Sequence, residues 1–181
     1  MALTDPSKRL QAIPPYMFAE LEQRVAEKRE AGVDVISLGI GDPDLPTFPH
    51  IIEALQAAAA DEANHGYPTN RGRKEFRAAF ADFYGERFGV AIDAETQVMP
   101  AIGAKECIYN LCFAFLDPGD AALASDPGYP VYTGGPVLAG ADAVSMPLLA
   151  ELDFAPDLDA IDSGTLDRAR LLFLNYPNNP T

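Results

Sequence analysis

The chain has 181 residues, enough for one domain or one domain and part of another. Its apolar share of 48% and charged share of 22% exclude a disordered polymer. The formal net charge of −14 argues against nucleic acid as a general partner, because such a surface repels phosphate backbones.

Residues 1–15 carry Pro6, Pro14 and Pro15 and read as an extended arm. From Tyr16 to Ala31 the pattern is helical, with Phe18, Leu21 and Val25 on one face, Glu20 four residues before Arg24, and Gly32 as C-cap. Val33–Leu38 is a short run read as a strand. The following Gly39-Ile40-Gly41-Asp42-Pro43-Asp44 can continue neither strand nor helix. It is not a dinucleotide fingerprint, since Asp44 stands where the third glycine belongs.

A helix is predicted over about Pro49–Asp61, then a loop at 65–69, then a helix with Asn70 as candidate N-cap. In that helix Phe76, Phe80 and Phe83 recur at core spacing, and the basic cluster Arg71, Arg73, Lys74, Arg77 reads as a solvated face. After residue 90 strands and helices alternate. Gln97–Met99, Ala121–Ala124, Ala143–Met146 and Leu171–Asn175 are predicted strands. Gly103–Phe115 is a predicted helix, with Ile108, Leu111, Cys112 and Phe115 on its apolar side. Tyr129–Leu138 is a helix interrupted by Gly134-Gly135-Pro136, and Leu158–Ile161 and Leu166–Ala169 are helical pieces. Such alternation implies βαβ units and a largely parallel sheet, hence an α/β fold.

Cys107 and Cys112 are five residues apart, so on one helix they point about 140° apart at about 100° per residue. They cannot pair with each other there, and the spacing fits no zinc motif, so no metal is expected. The polar start, the few cysteines and the lack of a long apolar run lead us to expect a cytoplasmic protein without membrane contact.

Ligands of open parallel sheets bind beyond the carboxyl ends of strands. Three loops hold such places. Gly103-Ala104-Lys105 opens a helix, where backbone N–H groups and small residues suit a phosphate, though without Walker A spacing. Asp126-Pro127-Gly128-Tyr129-Pro130 sets an aromatic after a tight turn, placed to lie over a planar ring or simply to pack at the sheet edge. Asn175–Thr181 holds asparagine amides between two stiffening prolines, suited to donate to a phenolate or carboxylate oxygen or simply to shape a turn.

Taken together, LGIGDPDLPT at 38–47, GYPTNRG at 66–72, GAKE at 103–106, LDPGD at 116–120, DPGYPVY at 126–132 and NYPNNPT at 175–181 resemble, in order and spacing, the class I/II aminotransferases of fold type I. The resemblance runs from about residue 9 to 181. The stretches PPYMFAELEQRVAEKREAGVDVISLGIGDPDLPT and LLFLNYPNNPT look most like the LL-diaminopimelate branch.

It implies the PLP-transferase fold, with an arm and small-domain segment over 1–46 and an incomplete, mainly parallel-sheet large domain over 47–181. It implies pyridoxal 5'-phosphate (PLP) as cofactor. It further implies amino transfer between an amino acid, LL-diaminopimelate in that branch, and a 2-oxo acid such as 2-oxoglutarate, for lysine biosynthesis. Gly103, Ala104 and Lys105 then match the phosphate segment, Tyr129 the ring-facing aromatic and Asn179 the donor to the cofactor's 3′-oxygen. Tyr67 matches a tyrosine that reaches the neighbouring subunit's phosphate, which implies a homodimer with shared sites. Gly41 and Tyr16 match substrate-side positions.

The resemblance also shows what is missing. Of Lys8, Lys28, Lys74 and Lys105, none stands in the family's Ser-x-Ser-Lys context, so no catalytic residue is expected in this chain. The family's aspartate for the pyridine nitrogen and arginine for the α-carboxylate are likewise expected beyond Thr181. The expectation is a fragment, inactive alone. A non-catalytic binding or heteromer-forming module and a PLP carbon–sulfur lyase are the alternatives.

Overall fold

Three parallel strands, β1 (Ala121–Asp126), β2 (Asp142–Pro147) and β3 (Ala169–Phe173), form the sheet in the order β2-β1-β3. The computed structural model describes residues 5–13, 17–39, 41 and 43–181. These fall into two compact units. One spans residues 15–100, and the other joins 101–181 to the N-terminal segment up to residue 14.

The central strand β1 reads Ala-Ala-Leu-Ala-Ser-Asp, and its first five residues are buried. Small side chains on both faces let helices approach a strand paired on both edges. Asp126 lies opposite Pro147 of β2, and Ala124 opposite Phe173 of β3. Helix α6 (Val131–Ala139) links β1 to β2, and α7 (Ser163–Arg168) precedes β3. Helix α5 (Ala104–Phe115) supplies Cys112 to a core shared with Leu116, Ala122, Ala139 and Ala141. Burial pushes the Cys112 thiol up, so it stays protonated. Both cysteines are free.

Gly134, Gly135 and Pro136 do not interrupt α6. All three are buried inside it. A Cβ on Gly135 would stand 2.7 Å from Cys112 Sγ, so glycine lets α6 close against α5. Pro136 removes one intrahelical hydrogen bond, in a helix that ends a turn later at Gly140. The N-terminal segment forms a short helix, α1 (Lys8–Gln11), where the prolines suggested only an extended arm. Ser7 Oγ accepts from Leu10 N–H to start it, and Arg9 donates to the Leu138 carbonyl at the end of α6.

In the 15–100 unit, α2 (Met17–Glu30) ends in a Schellman closure, with Gly32 left-handed and Val33 N–H on the Lys28 carbonyl. Helix α3 (Pro49–Ala60) and a 3-10 turn at Glu62–Asn64 follow, then α4 (Lys74–Phe88). Several expectations fail here. Val33–Leu38 and Gln97–Met99 form no strand, because a strand needs a partner and none pairs with them among the described residues. Arg73, not Asn70, is the N-cap of α4. Phe76, Phe80 and Phe83 are 54%, 40% and 54% exposed rather than core, their contacts including Phe80 with Tyr84 and Phe83 with Phe88. Further along, Leu158–Ile161 is a turn rather than a helical piece.

Candidate cofactor site

Helix α5 begins directly at the predicted phosphate segment. Gly103 is its N-cap, at φ +83°, a left-handed backbone that a side chain would strain. Among the described residues, no heavy atom beyond Gly103 and its chain neighbours lies within 4 Å of where a Cβ would stand, so within this chain the approach to the helix start is open. Ala104 is the first helical residue, and no side chain caps the end. Glu106 reaches back to accept from the Ile102 N–H. The first turn of a helix offers N–H groups without intrahelical acceptors and the positive end of the dipole, which suits an anion. Lys105 adds a cation there.

The loop after β1 brings Tyr129 to the same place. The Lys105 ammonium lies 5.3 Å from the Tyr129 ring centroid. Tyr129 is half-buried and meets Tyr132 edge-on, with centroids 5.8 Å apart and planes at 81°. Tyr132 in turn stacks on Phe173 of β3, at 5.2 Å and 10°. The aromatic is therefore propped through two further rings on the sheet itself.

The loop after β3 lies beside it, because β1 and β3 are parallel neighbours and both loops leave their carboxyl ends. Asn178 donates to the Pro127 carbonyl at 3.1 Å and to Thr181 Oγ1 at 2.8 Å. Asn175 donates to the Pro177 carbonyl, and the Tyr176 hydroxyl to the Phe154 carbonyl. Asn179 is exposed. The peptide bonds before Pro127, Pro177 and Pro180 are cis. On the other edge, Ser145 Oγ of β2 donates to the Asp126 carboxylate at 2.9 Å.

Three of the predicted loops thus meet in one unit, at one end of one sheet. Their chemistry is a helix N-terminus with a cation, a supported aromatic face and a loop of amides. That set fits a planar, phosphorylated aromatic group such as PLP. Among the described residues, no group of three or more His, Cys, Asp and Glu could hold a metal ion.

The other predicted positions belong to the 15–100 unit. Gly41 is exposed. Tyr67 is fully exposed, at the rim of a cleft of about 860 Å³ lined by Asn64, Thr69, Arg73, Lys74 and Glu95 among others. Tyr16 lies outside the described residues. Arg77 corrects the reading of its cluster as a solvated face, being 4% exposed. Its guanidinium donates to the carbonyls of Arg71, Gly72 and Ala94, and to the Glu95 carboxylate at 3.0 Å. Arg73 is held by Asn64 and Glu75.

Two residues with no predicted role emerge from this geometry. For Tyr132 the one signal the sequence offers is its i, i+3 spacing from Tyr129. Asn178 carried no signal separate from its neighbour Asn179.

The family model for aminotransferase class I and II matches residues 33–181, and the chain belongs to that family. It is similar to the LL-diaminopimelate aminotransferase of Desulforudis audaxviator, 53% identical over 175 residues that make up 97% of this chain and 45% of that one. The protein of the same name from Aquifex aeolicus is 49% identical over the same shares. Among solved structures, apo-BacF from Bacillus subtilis superposes with a TM-score of 0.90 at 42% identity, covering 98% of this chain and 45% of that one. A Thermus thermophilus aspartate aminotransferase mutant gives 0.88 at 31%, over 98% and 46%. The fold is that of the fold-type-I PLP aminotransferases. The chain spans less than half the length of these relatives. No helix among the described residues is long and apolar enough to cross a membrane.

Proposed function

We propose that the whole protein is a PLP-dependent aminotransferase that moves the amino group of LL-diaminopimelate to 2-oxoglutarate, in the cytoplasm, as a homodimer with shared sites. The observation that carries this reading is the meeting of Lys105 and Tyr129 beside the amide loop that ends β3. The names of the relatives support the substrate.

In this reading the start of α5, with Gly103, Ala104 and Lys105, holds the cofactor's phosphate. Tyr129 covers one face of its ring, and Asn179 donates to its 3′-oxygen. Bound PLP supplies the electron sink that amino transfer needs. The residues of this chain fix the plane and depth of the ring, so that the bond to be broken is held in one orientation. Tyr67 reaches the phosphate bound by the partner copy, consistent with its full exposure. Gly41 and Tyr16 line the substrate side. The lysine, aspartate and arginine that complete the family's site are proposed for the remaining length of the protein. A division near residue 46, between an arm with a small-domain segment and the cofactor-binding domain, belongs to the same proposal.

The test is an assay of the full-length protein with PLP, LL-diaminopimelate and 2-oxoglutarate. Glutamate formation is expected. Release of pyruvate and ammonia from a sulfur amino acid, without glutamate, would identify a lyase instead. A folded protein that takes up no PLP would leave a non-catalytic module.

A further inference from the structure

Asn178 joins the two loops that leave β1 and β3. Its Nδ2 donates to the Pro127 carbonyl, two residues before Tyr129, and its own backbone leads directly into Asn179. The Pro127 oxygen accepts only, so the NH₂ end of the amide must face it. That orientation turns Oδ1 away into a buried position where it has no hydrogen-bond partner among the described residues. A buried acceptor without a donor is unfavourable. The amide therefore holds this orientation through the contact at Pro127 and the further bond to Thr181 Oγ1.

We infer that Asn178 is a positioning residue, fixing the spacing between the ring-facing Tyr129 and the oxygen-donating Asn179. The inference rests on the proposed roles of those two residues. With the clamp intact, a ring laid on Tyr129 keeps its oxygen within reach of Asn179. Without it, the two loops can separate at the ends of their strands while the sheet pairing of β1 with β3 persists.

The experiment uses the full-length protein with PLP and the variants Asn178→Ala, Asn178→Asp and Asn179→Ala. Asn178→Asp keeps the size of the side chain but sets an acceptor against the Pro127 carbonyl, so it serves where Asn178→Ala fails to fold. Two quantities are read: the dissociation constant for PLP, and the pH midpoint of the bound cofactor's visible absorbance. Both Asn178 variants are expected to weaken PLP binding, by up to roughly tenfold for one lost hydrogen bond, and to move the midpoint in the same direction as Asn179→Ala. The double variant Asn178→Ala/Asn179→Ala is expected to lose less than the product of the single losses. A purely structural asparagine would lower the melting temperature and leave the midpoint alone, and that result overturns the inference. If Asn179→Ala moves the midpoint and the Asn178 variants do not, the inference falls and the cofactor reading stands. If Asn179→Ala itself leaves the midpoint and the affinity unchanged, the role of Asn179 falls, and the inference with it.

Discussion

The Lys105 ammonium stands over the Tyr129 ring, 5.3 Å from its centroid, and so couples the start of α5 to the loop after β1. A cation at this distance is attracted to the face of an aromatic ring. The same two side chains are proposed to meet the phosphate and the ring of one cofactor. Tyr129→Ala in the full-length protein is expected to weaken PLP binding, with stacking typically worth about 0.5–1.5 kcal/mol beyond burial. Tyr129→Phe keeps the ring and is expected to stay within about twofold of the parent. An absorbance titration with PLP separates the two variants. Equal loss in both would assign the effect to the hydroxyl rather than the ring face.

Arg77 is the buried cation among the described residues of the 15–100 unit. Its guanidinium meets three backbone carbonyls and the half-exposed Glu95. Replacement by alanine removes donors from several acceptors at once, and a loss of roughly 2–4 kcal/mol is expected in urea unfolding. Arg77→Lys should recover only part, since an ammonium cannot reproduce the planar fork. Glu95→Gln should cost much less, because water already reaches that carboxylate. A lysine variant as stable as the parent would contradict this account.

Much of this architecture is legible in the sequence where local signals suffice. The helices α2, α3 and α5 and the three strands of the sheet all follow from periodicity and turn chemistry. The misreadings share a cause. A strand at Val33–Leu38 and a core role for Phe76, Phe80 and Phe83 depend on what lies opposite, and no local pattern encodes the partner. Arg77 has the same spacing to its basic neighbours as a solvated residue would. Only the return of Ala94 and Glu95, far along the chain, turns it inward. At the site, the motif order identified the three loops. It did not reveal that one amide, Asn178, ties two of them together, because adjacent asparagines look alike in a sequence.

Acid sensitivity follows from carboxylates held by local donors. The Asp120 carboxyl lies below its ordinary value, chiefly because it accepts from the Asp117 N–H and secondarily through Arg170. Asp162 is lowered by the Thr165 hydroxyl and N–H, and Asp93 by the Thr96 hydroxyl and the Glu95 N–H. In each case the unfolded chain takes up a proton at a higher pH than the folded one. The stabilisation is therefore complete above the ordinary value of 3.8 and is lost as pH falls through the depressed one. Urea midpoints measured from pH 6 down to pH 3 are expected to fall for the parent and to fall less steeply for Asp162→Asn. Parallel curves would remove Asp162 from the account.

The contact between α5 and α6 gives the sharpest test of packing. Gly135 lies inside α6, where alanine would ordinarily be favoured by about 1 kcal/mol. Here a Cβ would stand 2.7 Å from Cys112 Sγ, while a Cβ on Gly134 would stand 3.2 Å from the Tyr109 hydroxyl oxygen. Cys112 is fully buried in the core beside β1 and cannot swing into solvent. Gly135→Ala is therefore expected to destabilise, by roughly 1–3 kcal/mol of overpacking less the gain in helix propensity. Cys112→Ala removes the sulfur that the new methyl would strike. Alone it should also destabilise, through lost burial and a small cavity. Combined with Gly135→Ala, the methyl enters the space left by Sγ, and the double variant should be more stable than the sum of the two single losses allows. Chemical unfolding of the four proteins of this cycle gives the coupling directly. Additive losses would mean that α6 shifts bodily away from α5, and that the glycine is not what sets their distance.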